Sequence, residues 1–507
     1  MKTVCRIQCN EQRNGVTNKM FVRLRRSIFI GFSVFVVVIT IILIGKIHND
    51  IRFTSDYLLT PKFDLATNFQ PNIAECQRKL SFNLKSFLTQ TICPVKDLYH
   101  DLQDAIEYIE SKEPPQTDSQ SEKVVTLSDF FSIGSKEELT VLDKFNLAIK
   151  QTELYSANST LVDELLHDMS TRKIVRVYEK NGGTQIKFRI IFDNGMFAIA
   201  KPMRFPRDWE IFPNQIQYAE FERHTAEIAA YHLDRILGFR RTMPVIGRIL
   251  NVTSEIFEIA NRNLTNTFFM SPEPEHNYCF YGTCKQYCSI HHPVCANGDL
   301  IETAFIAYLP FYFDAEVVEY QHPWRKSYDR KRKAIWERDP KYCDRVKRWE
   351  EYKEGRRLLD LMDLSLFDFL TGNKDRHHYA VLKSFGKDTF FLNYDNGRAF
   401  GRSYYDEIMN LMPLSQCCVI RSSTLKTLLS FHNGPKPLSQ LMRESMASDP
   451  LDALAPVLWE PHLEALDRRV DLILSTFRKC IKTSPIDDVI YSRDNFGVKS
   501  LDSTQDF

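Results

Sequence analysis

The chain has 507 residues, 66 Lys and Arg against 65 Asp and Glu, 12 cysteines and 43% hydrophobic residues. This composition excludes wholesale disorder, collagen and a polytopic membrane protein, and the near-neutral charge gives no reason to expect nucleic-acid binding. The length fits about three average domains, or one large two-lobed enzyme with appendages.

The charge is unevenly spread. Residues 1–26 carry seven basic side chains (Lys2, Arg6, Arg13, Lys19, Arg23, Arg25, Arg26) against Glu11, a net +6, so the rest of the chain sums to −5. Ile28 to Gly45 then runs eighteen residues without a charge, which as a helix reaches ~27 Å, close to a hydrocarbon core. Basic residues ahead of such a run keep the N-terminus cytosolic. A cleavable signal peptide is the other reading, but the run is long and no A-x-A-like site follows it. The expectation is a cytosolic tail (1–26), a single transmembrane signal anchor (27–45) and a luminal remainder.

A luminal setting favours disulfides for the ten cysteines beyond the anchor. The rival for Cys279, Cys284, Cys288 and Cys295 is zinc, although their spacing lacks the paired C-x-x-C form. Asn158, Asn251 and Asn263 each open an N-x-S/T glycosylation sequon.

Residues 46–165 read as a luminal stem, with a helical stretch around 95–109 and a polar, linker-like segment at 111–123. A catalytic domain is expected over 166–485 and a C-terminal tail over 486–507. Ile174–Tyr178, Gln185–Phe192 and Met196–Ala200 read as strands of an antiparallel meander, separated by Asn181-Gly182-Gly183 and Asp193-Asn194-Gly195. Tyr218–Leu237 repeats apolar residues at helical spacing, and beyond Leu361 the pattern is mostly helical. A small antiparallel β lobe with one helix, followed by a helical lobe, is the α+β outline of a two-lobed kinase-like fold.

Four charged residues stand in the order a kinase needs. Lys201 closes the third strand, Glu222 lies in the following helical segment, Asp375 sits in F-D-F-L-T-G-N-K-D-R-H-H-Y, and Asp395 opens D-N-G. Such a lysine neutralises nucleotide phosphates, the glutamate fixes it or takes a metal, one aspartate orients and deprotonates an acceptor hydroxyl, and the other binds the metal bridging the phosphates. Taken singly, each has a plain alternative as a solvated strand end, helix residue, loop cap or turn residue. His377 and His378 suggest a metal or a base, yet neighbours on regular structure point different ways. No Walker A sequence occurs.

The segments F-E-R-H-T-A-E-I-A-A-Y-H-L-D-R-I-L, C-F-Y-G-T-C-K-Q-Y-C-S, F-D-F-L-T-G-N-K-D-R-H-H-Y, N-Y-D-N-G-R-A-F-G and P-L-S-Q-C-C resemble the Golgi casein kinase family of secretory-pathway kinases (family with sequence similarity twenty), nearest its extracellular protein-kinase branch, the member C type. The resemblance covers roughly 173–480. It implies Asp375 as catalytic base, Asp395 as metal ligand, Glu222 as partner of metal or lysine, and Lys201, Gln185 and Lys187 near the ATP phosphates. It also implies a hinge at Ile306, Ala307, Tyr308 and Leu309, and disulfides Cys279–Cys295, Cys284–Cys288, Cys343–Cys417 and Cys418–Cys480. Cys76 and Cys93 are left for each other or for a partner chain.

Two positions test the assignment. The family's pseudokinase branch carries glutamine where this chain has Glu222, so an active enzyme is expected. Active members usually follow R-H-H-Y with a glutamate, and here the residue is Ala380. From Arg325 to Arg348 there are eleven Lys or Arg and four Asp or Glu, either a solvated face or a surface that attracts acidic substrates. The resemblance therefore implies a type II Golgi membrane kinase, with secretion after stem cleavage as its second location, that uses ATP and Mn²⁺ or Mg²⁺ on serines in acidic Ser-x-Glu contexts of secreted proteins. It also implies a homodimer or a heterodimer with a pseudokinase relative. A glycosaminoglycan xylosylkinase and a pseudokinase activator are the alternatives.

Overall fold

The computed structural model describes residues 98–112, 124–131, 139–180, 182–211, 222–309, 317–327, 331–494 and 496–497. The apolar run 28–45, the basic tail, Cys76 and Cys93 lie outside the described residues. Among the described residues no helix is long and apolar enough to cross a membrane.

Helices α1 (His100–Ser111), α2 (Val141–Leu147) and α3 (Thr160–Thr171) precede the sheet. In α1, Leu102, Ala105, Ile106 and Ile109 are buried, the i, i+3, i+4, i+7 stripe of a helix with one partnered face. A Thr140–Asp143 capping box starts α2, satisfying two N-terminal amides.

The sheet follows as β1 (Ile174–Glu179), β2 (Phe188–Phe192) and β3 (Phe197–Pro202), then α4 (His224–Ile236) and β4 (Val245–Asn251). A small three-stranded sheet, β5 (Phe269–Met270), β6 (Tyr278–Phe280) and β7 (Val294–Cys295), intervenes before β8 (Leu300–Ala307). The main sheet is antiparallel in the order β1-β2-β3-β8-β4. Gly182, Gly183 and Gly195 in the two turns have φ of 83°, 83° and 81°, the left-handed region glycine enters without a Cβ clash. Two helices, α3 and α4, pack on β4 and β8, where the sequence suggests one.

The strands β9 (Val317–Gln321) and β10 (His378–Leu382) pair antiparallel beyond the sheet. The rest is helical: α5 (Tyr342–Val346), α6 (Arg357–Thr371), α7 (Ile408–Cys417), α8 (Ser422–Asn433), α9 (Leu438–Met446) and α10 (Glu460–Thr483). Every residue of α6 is buried, which makes it the central helix of this half. Its Asp360 and Asp363 are neutralised by Arg241, Arg356 and Arg421, as buried carboxylates require.

The stem and tail boundaries differ from the sequence reading. Helix α1 packs on α8 and α10, and Leu127, Leu142, Phe145, Leu165 and Met169 join the core. The packed body therefore begins well before residue 166. At the other end, β11 (Ile420–Arg421) pairs parallel with β12 (Ile490–Tyr491), Val489, Ile490 and Phe496 are buried, and Asp494 pairs with Arg421 and Arg356. The chain past 485 is part of the body as far as it is described.

Candidate active site

Lys201 projects from β3, whose register sets it opposite Ala304 of β8. It is 5% exposed. Its Nζ lies 2.7 Å from Glu222 Oε2, 2.5 Å from Glu227 Oε1 and 2.9 Å from Asp395 Oδ1. Lys187, just ahead of β2, adds a second ammonium 3.3 Å from Asp395 and 3.7 Å from Glu222. Burial opposes the Lys201 charge, but Asp395, Glu222 and Glu227 outweigh it and hold the ammonium well above its ordinary pKa. Burial likewise opposes ionisation of Glu222, yet Lys187 and Lys201 bring its carboxyl below the usual range. The same two lysines hold Asp395 well below it.

Glu222 is not on the helix. Helix α4 starts at His224, with Arg223 as an extended N-cap residue, and Arg223 N donates to Gly397 O at 2.6 Å. The helical carboxylate on Lys201 is Glu227, which sequence reading missed. Its only signal was a place beside Ile228 on the buried face of the helix, where an acid needs a cation. Gln185 is in the loop before β2 rather than in the strand, and its Oε1 accepts from Glu222 N at 3.0 Å.

Asp375 lies in the loop between α6 and β10. Gly372, at φ 66°, ends α6, and Asp375 N donates to Asn373 Oδ1 at 3.0 Å. Arg376 ties this loop to the D-N-G loop: it pairs with Asp368 and donates to Tyr394 O at 2.5 Å and Asn396 Oδ1 at 2.8 Å. Arg398 Nη1 pairs with Asp375 Oδ2, and its Nη2 donates to Thr184 Oγ1 at 3.2 Å. His377 Nδ1 stands 2.6 Å from the Asp375 carbonyl, and its ring meets that of His378 edge-on at 4.6 Å.

Two adjoining cavities share Lys187 and Asp395. One, of about 370 Å³, is lined by Ile199, Lys201, Val245, the segment 306–309, Glu319 and Tyr394; the other, of about 440 Å³, is lined by Gly183, Thr184, Glu222, Asp375, His377 and Arg398. The first joins an apolar wall of Ile199, Met243, Val245, Ile306, Leu309 and Val317 to a polar wall that includes Lys180, Lys187, Lys201, Glu227 and Asp395, the combination that holds a flat base at one end and charged groups at the other. Ligand atoms of Glu222, Glu227 and Asp395 all lie within 4.8 Å of one another. Such an all-oxygen, anionic set fits a hard divalent cation such as Mn²⁺ or Mg²⁺.

Sulfur atoms are bonded as Cys279–Cys295, Cys284–Cys288, Cys343–Cys417 and Cys418–Cys480, so the 279–295 cluster has no thiolates to offer zinc. Asn158 and Asn263 are exposed, and Asn251 is half-buried with its Oδ1 accepting from Ser254.

Residues 140–489 match the family model described as Golgi casein kinase, C-terminal, Fam20. The chain belongs to this family. It is 51% identical to an extracellular serine/threonine protein of Drosophila melanogaster over 72% of the chain and 68% of the relative. It is 45% identical to the human extracellular serine/threonine protein kinase FAM20C over 68% and 59%. The match thus spans about three fifths of the human kinase's own length. A crystal structure of the Golgi casein kinase with Mn/ADP bound superposes with a TM-score of 0.69 at 35% identity, covering 87% of this chain and 98% of that one. The chain shares the mixed α/β, disulfide-bonded fold of these Fam20 kinases.

Proposed function

We propose that this chain is a secretory-pathway serine/threonine protein kinase that transfers the γ-phosphoryl group of ATP to serines of secreted proteins in acidic Ser-x-Glu contexts. The observation that carries the reading is the convergence of Lys201, Glu222, Glu227 and Asp395 at one end of the 370 Å³ cavity, with Asp375 lining the cavity next to it.

Lys201 and Lys187 neutralise the nucleotide phosphates, and the backbone of residues 306–309 receives the adenine. Glu222, Glu227 and Asp395 hold the divalent cation, which when bound supplies positive charge to the transferring phosphoryl group. Asp375 accepts the serine proton as the hydroxyl oxygen bonds to phosphorus and the bond to the ADP oxygen breaks. Arg376 positions this loop from behind by gripping Asp368 and the carbonyl of Tyr394.

The exposed Lys and Arg of the 325–348 run, held in place by buried Trp336 and Tyr342 and by Cys343, supply the attraction for acidic substrates. Residues 27–45 anchor the chain in the Golgi membrane with the catalytic body luminal, and Asn158, Asn251 and Asn263 are the glycan acceptors. Dimerisation with its own kind or with a pseudokinase relative, and release by cleavage ahead of α1, complete the proposal.

The test is transfer from labelled ATP with Mn²⁺ by the full-length protein to an acidic Ser-x-Glu peptide and, separately, to a xylose-containing linker glycan, with Asp395→Ala as control. Peptide labelling that the control abolishes supports the reading. Labelling of the glycan alone moves the chain to sugar phosphorylation, and nucleotide binding without transfer to either makes it a binding module.

A further inference from the structure

One carboxylate in the nucleotide cavity takes no part in the metal cluster. Glu319 lies on β9, is exposed, and lines the 370 Å³ cavity. The Tyr394 hydroxyl donates to its Oε1 at 2.5 Å, and Tyr394 is the residue directly before Asp395. Glu319 is thus one aromatic side chain away from the phosphate end of the cavity. Val317, two residues earlier on the same strand, lines the cavity together with the 306–309 segment that forms its base end. The strand register sets Ala380 of β10 opposite Glu319, so no bulky cross-strand neighbour competes with the carboxylate for that space.

A carboxylate needs hydrogen-bond donors. The phosphates offer none and repel it, and the adenine amino group belongs to the base end. Midway between the two ends of a nucleotide the donors are the 2′- and 3′-hydroxyls of the sugar. We propose that Glu319, held by Tyr394, accepts hydrogen bonds from the ribose hydroxyls and makes the site selective for ribonucleotides. This rests on the assignment of the cavity to ATP. Glu319 is a specificity residue here, since it touches neither the transferred phosphoryl group nor the acceptor.

The experiment compares ATP, 2′-deoxyATP and 3′-deoxyATP on the full-length protein with Mn²⁺, for the wild type, Glu319→Ala and Glu319→Gln, by KM in peptide phosphorylation and by Kd in calorimetry. A hydrogen bond to a charged acceptor is worth about a tenfold preference. The wild type should therefore favour ATP over at least one deoxynucleotide by about that factor. In Glu319→Ala the ratio should collapse toward one because the ATP constant rises, and Glu319→Gln should fall between. Which analogue loses affinity identifies the hydroxyl. No preference in the wild type, or the same preference in both variants, overturns the proposal. A wild type that turns over no nucleotide would overturn the kinase reading instead, and the Kd ratios would still decide the ribose contact.

Discussion

Gly397 has no side chain because Glu222 lies where one would go: a Cβ at position 397 would stand 2.9 Å from both the Glu222 Cβ and its Oε2. The D-N-G sequence therefore divides its work between two residues. The left-handed backbone is at Asp395, with φ 59°, and the glycine gives room for the neighbouring carboxylate. Gly397→Ala should push Glu222 off Lys201, so the Mn²⁺ concentration for half-maximal activity should rise tenfold or more, and the melting temperature without divalent ions should fall. An unchanged Mn²⁺ requirement would show that Glu222 does not hold the metal.

Lys201 separates three carboxylates that would otherwise face one another within 4.8 Å. Removing one partner of a buried ion cluster costs about 3–5 kcal/mol. Lys201→Met should therefore lower the stability measured in urea by about that amount without divalent ions, and Mn²⁺ should restore much of it while activity stays lost. Equal melts with and without Mn²⁺ in this variant would contradict a metal site at Glu222, Glu227 and Asp395.

Asp375 bonds through its Oδ2 to Arg398 and lines the same cavity as Lys187 and Asp395. Asp375→Asn keeps the size and one acceptor oxygen for Arg398 but cannot take a proton. Turnover should fall by about 10²–10⁴, with the Kd for ATP within about threefold of the wild type. Activity within a factor of two of the wild type would refute Asp375 as the base.

Lys201 and the motif aspartates were legible because a strand end, a helix end and a strand–turn are each marked by local pattern. What joins them was not. Glu222 read as helical because F-E-R-H-T-A-E continues the periodicity, but the Arg223 amide is drawn to the carbonyl of Gly397, 174 positions along the sequence, so the helix begins only at His224. Glu227 was hidden among apolar neighbours, where only knowledge of Lys201 above it explains a buried acid. Helix α1 has a clear apolar stripe, yet the surface it covers is built from α8 and α10, more than 300 residues later, so it read as stem. The replacement at Ala380 looked like a lost carboxylate; strand pairing sets it across from Glu319, a relation no local pattern carries.

Cys417 and Cys418 are adjacent but serve different bridges because α7 ends between them: Cys418 adopts φ 50°, which turns its side chain toward Cys480 on α10 while Cys417 stays on the helix facing Cys343. These bridges close loops with separations of 74 and 62 residues, each worth about 4 kcal/mol on the chain-entropy model. Cys343→Ser with Cys417→Ser should lower stability by about 2–5 kcal/mol in urea denaturation. A loss below 0.5 kcal/mol would mean that the packed helices alone fix this region.

Four buried histidines set the response to acid: His224, whose pKa burial lowers against its pairing with Glu302, and three that fall further. Burial pulls the pKa of His232, His322 and His462 down to about 3, helped by Arg235 at the first, Arg376 at the second, and Arg223 and Arg469 at the third. In the unfolded chain each titrates near 6.5. Between pH 6.5 and 3 the unfolded state therefore binds protons that the folded state refuses, and stability must fall as the pH falls through that window. Each of the last three contributes about 1.4 kcal/mol of loss per pH unit below 6.5, so together they remove about 4 kcal/mol by pH 5.5. The neutral state of His322 is further fixed by its Nδ1, which accepts from Trp324 N at 3.1 Å. Urea denaturation at pH 7.5, 6.5 and 5.5 should show the decline, and His322→Gln, which cannot take up the proton, should flatten it by about 1.4 kcal/mol per pH unit. A stability that is level from pH 7.5 to 5.5, or a His322→Gln variant with the wild-type slope, would show that these histidines are not held neutral in the folded protein.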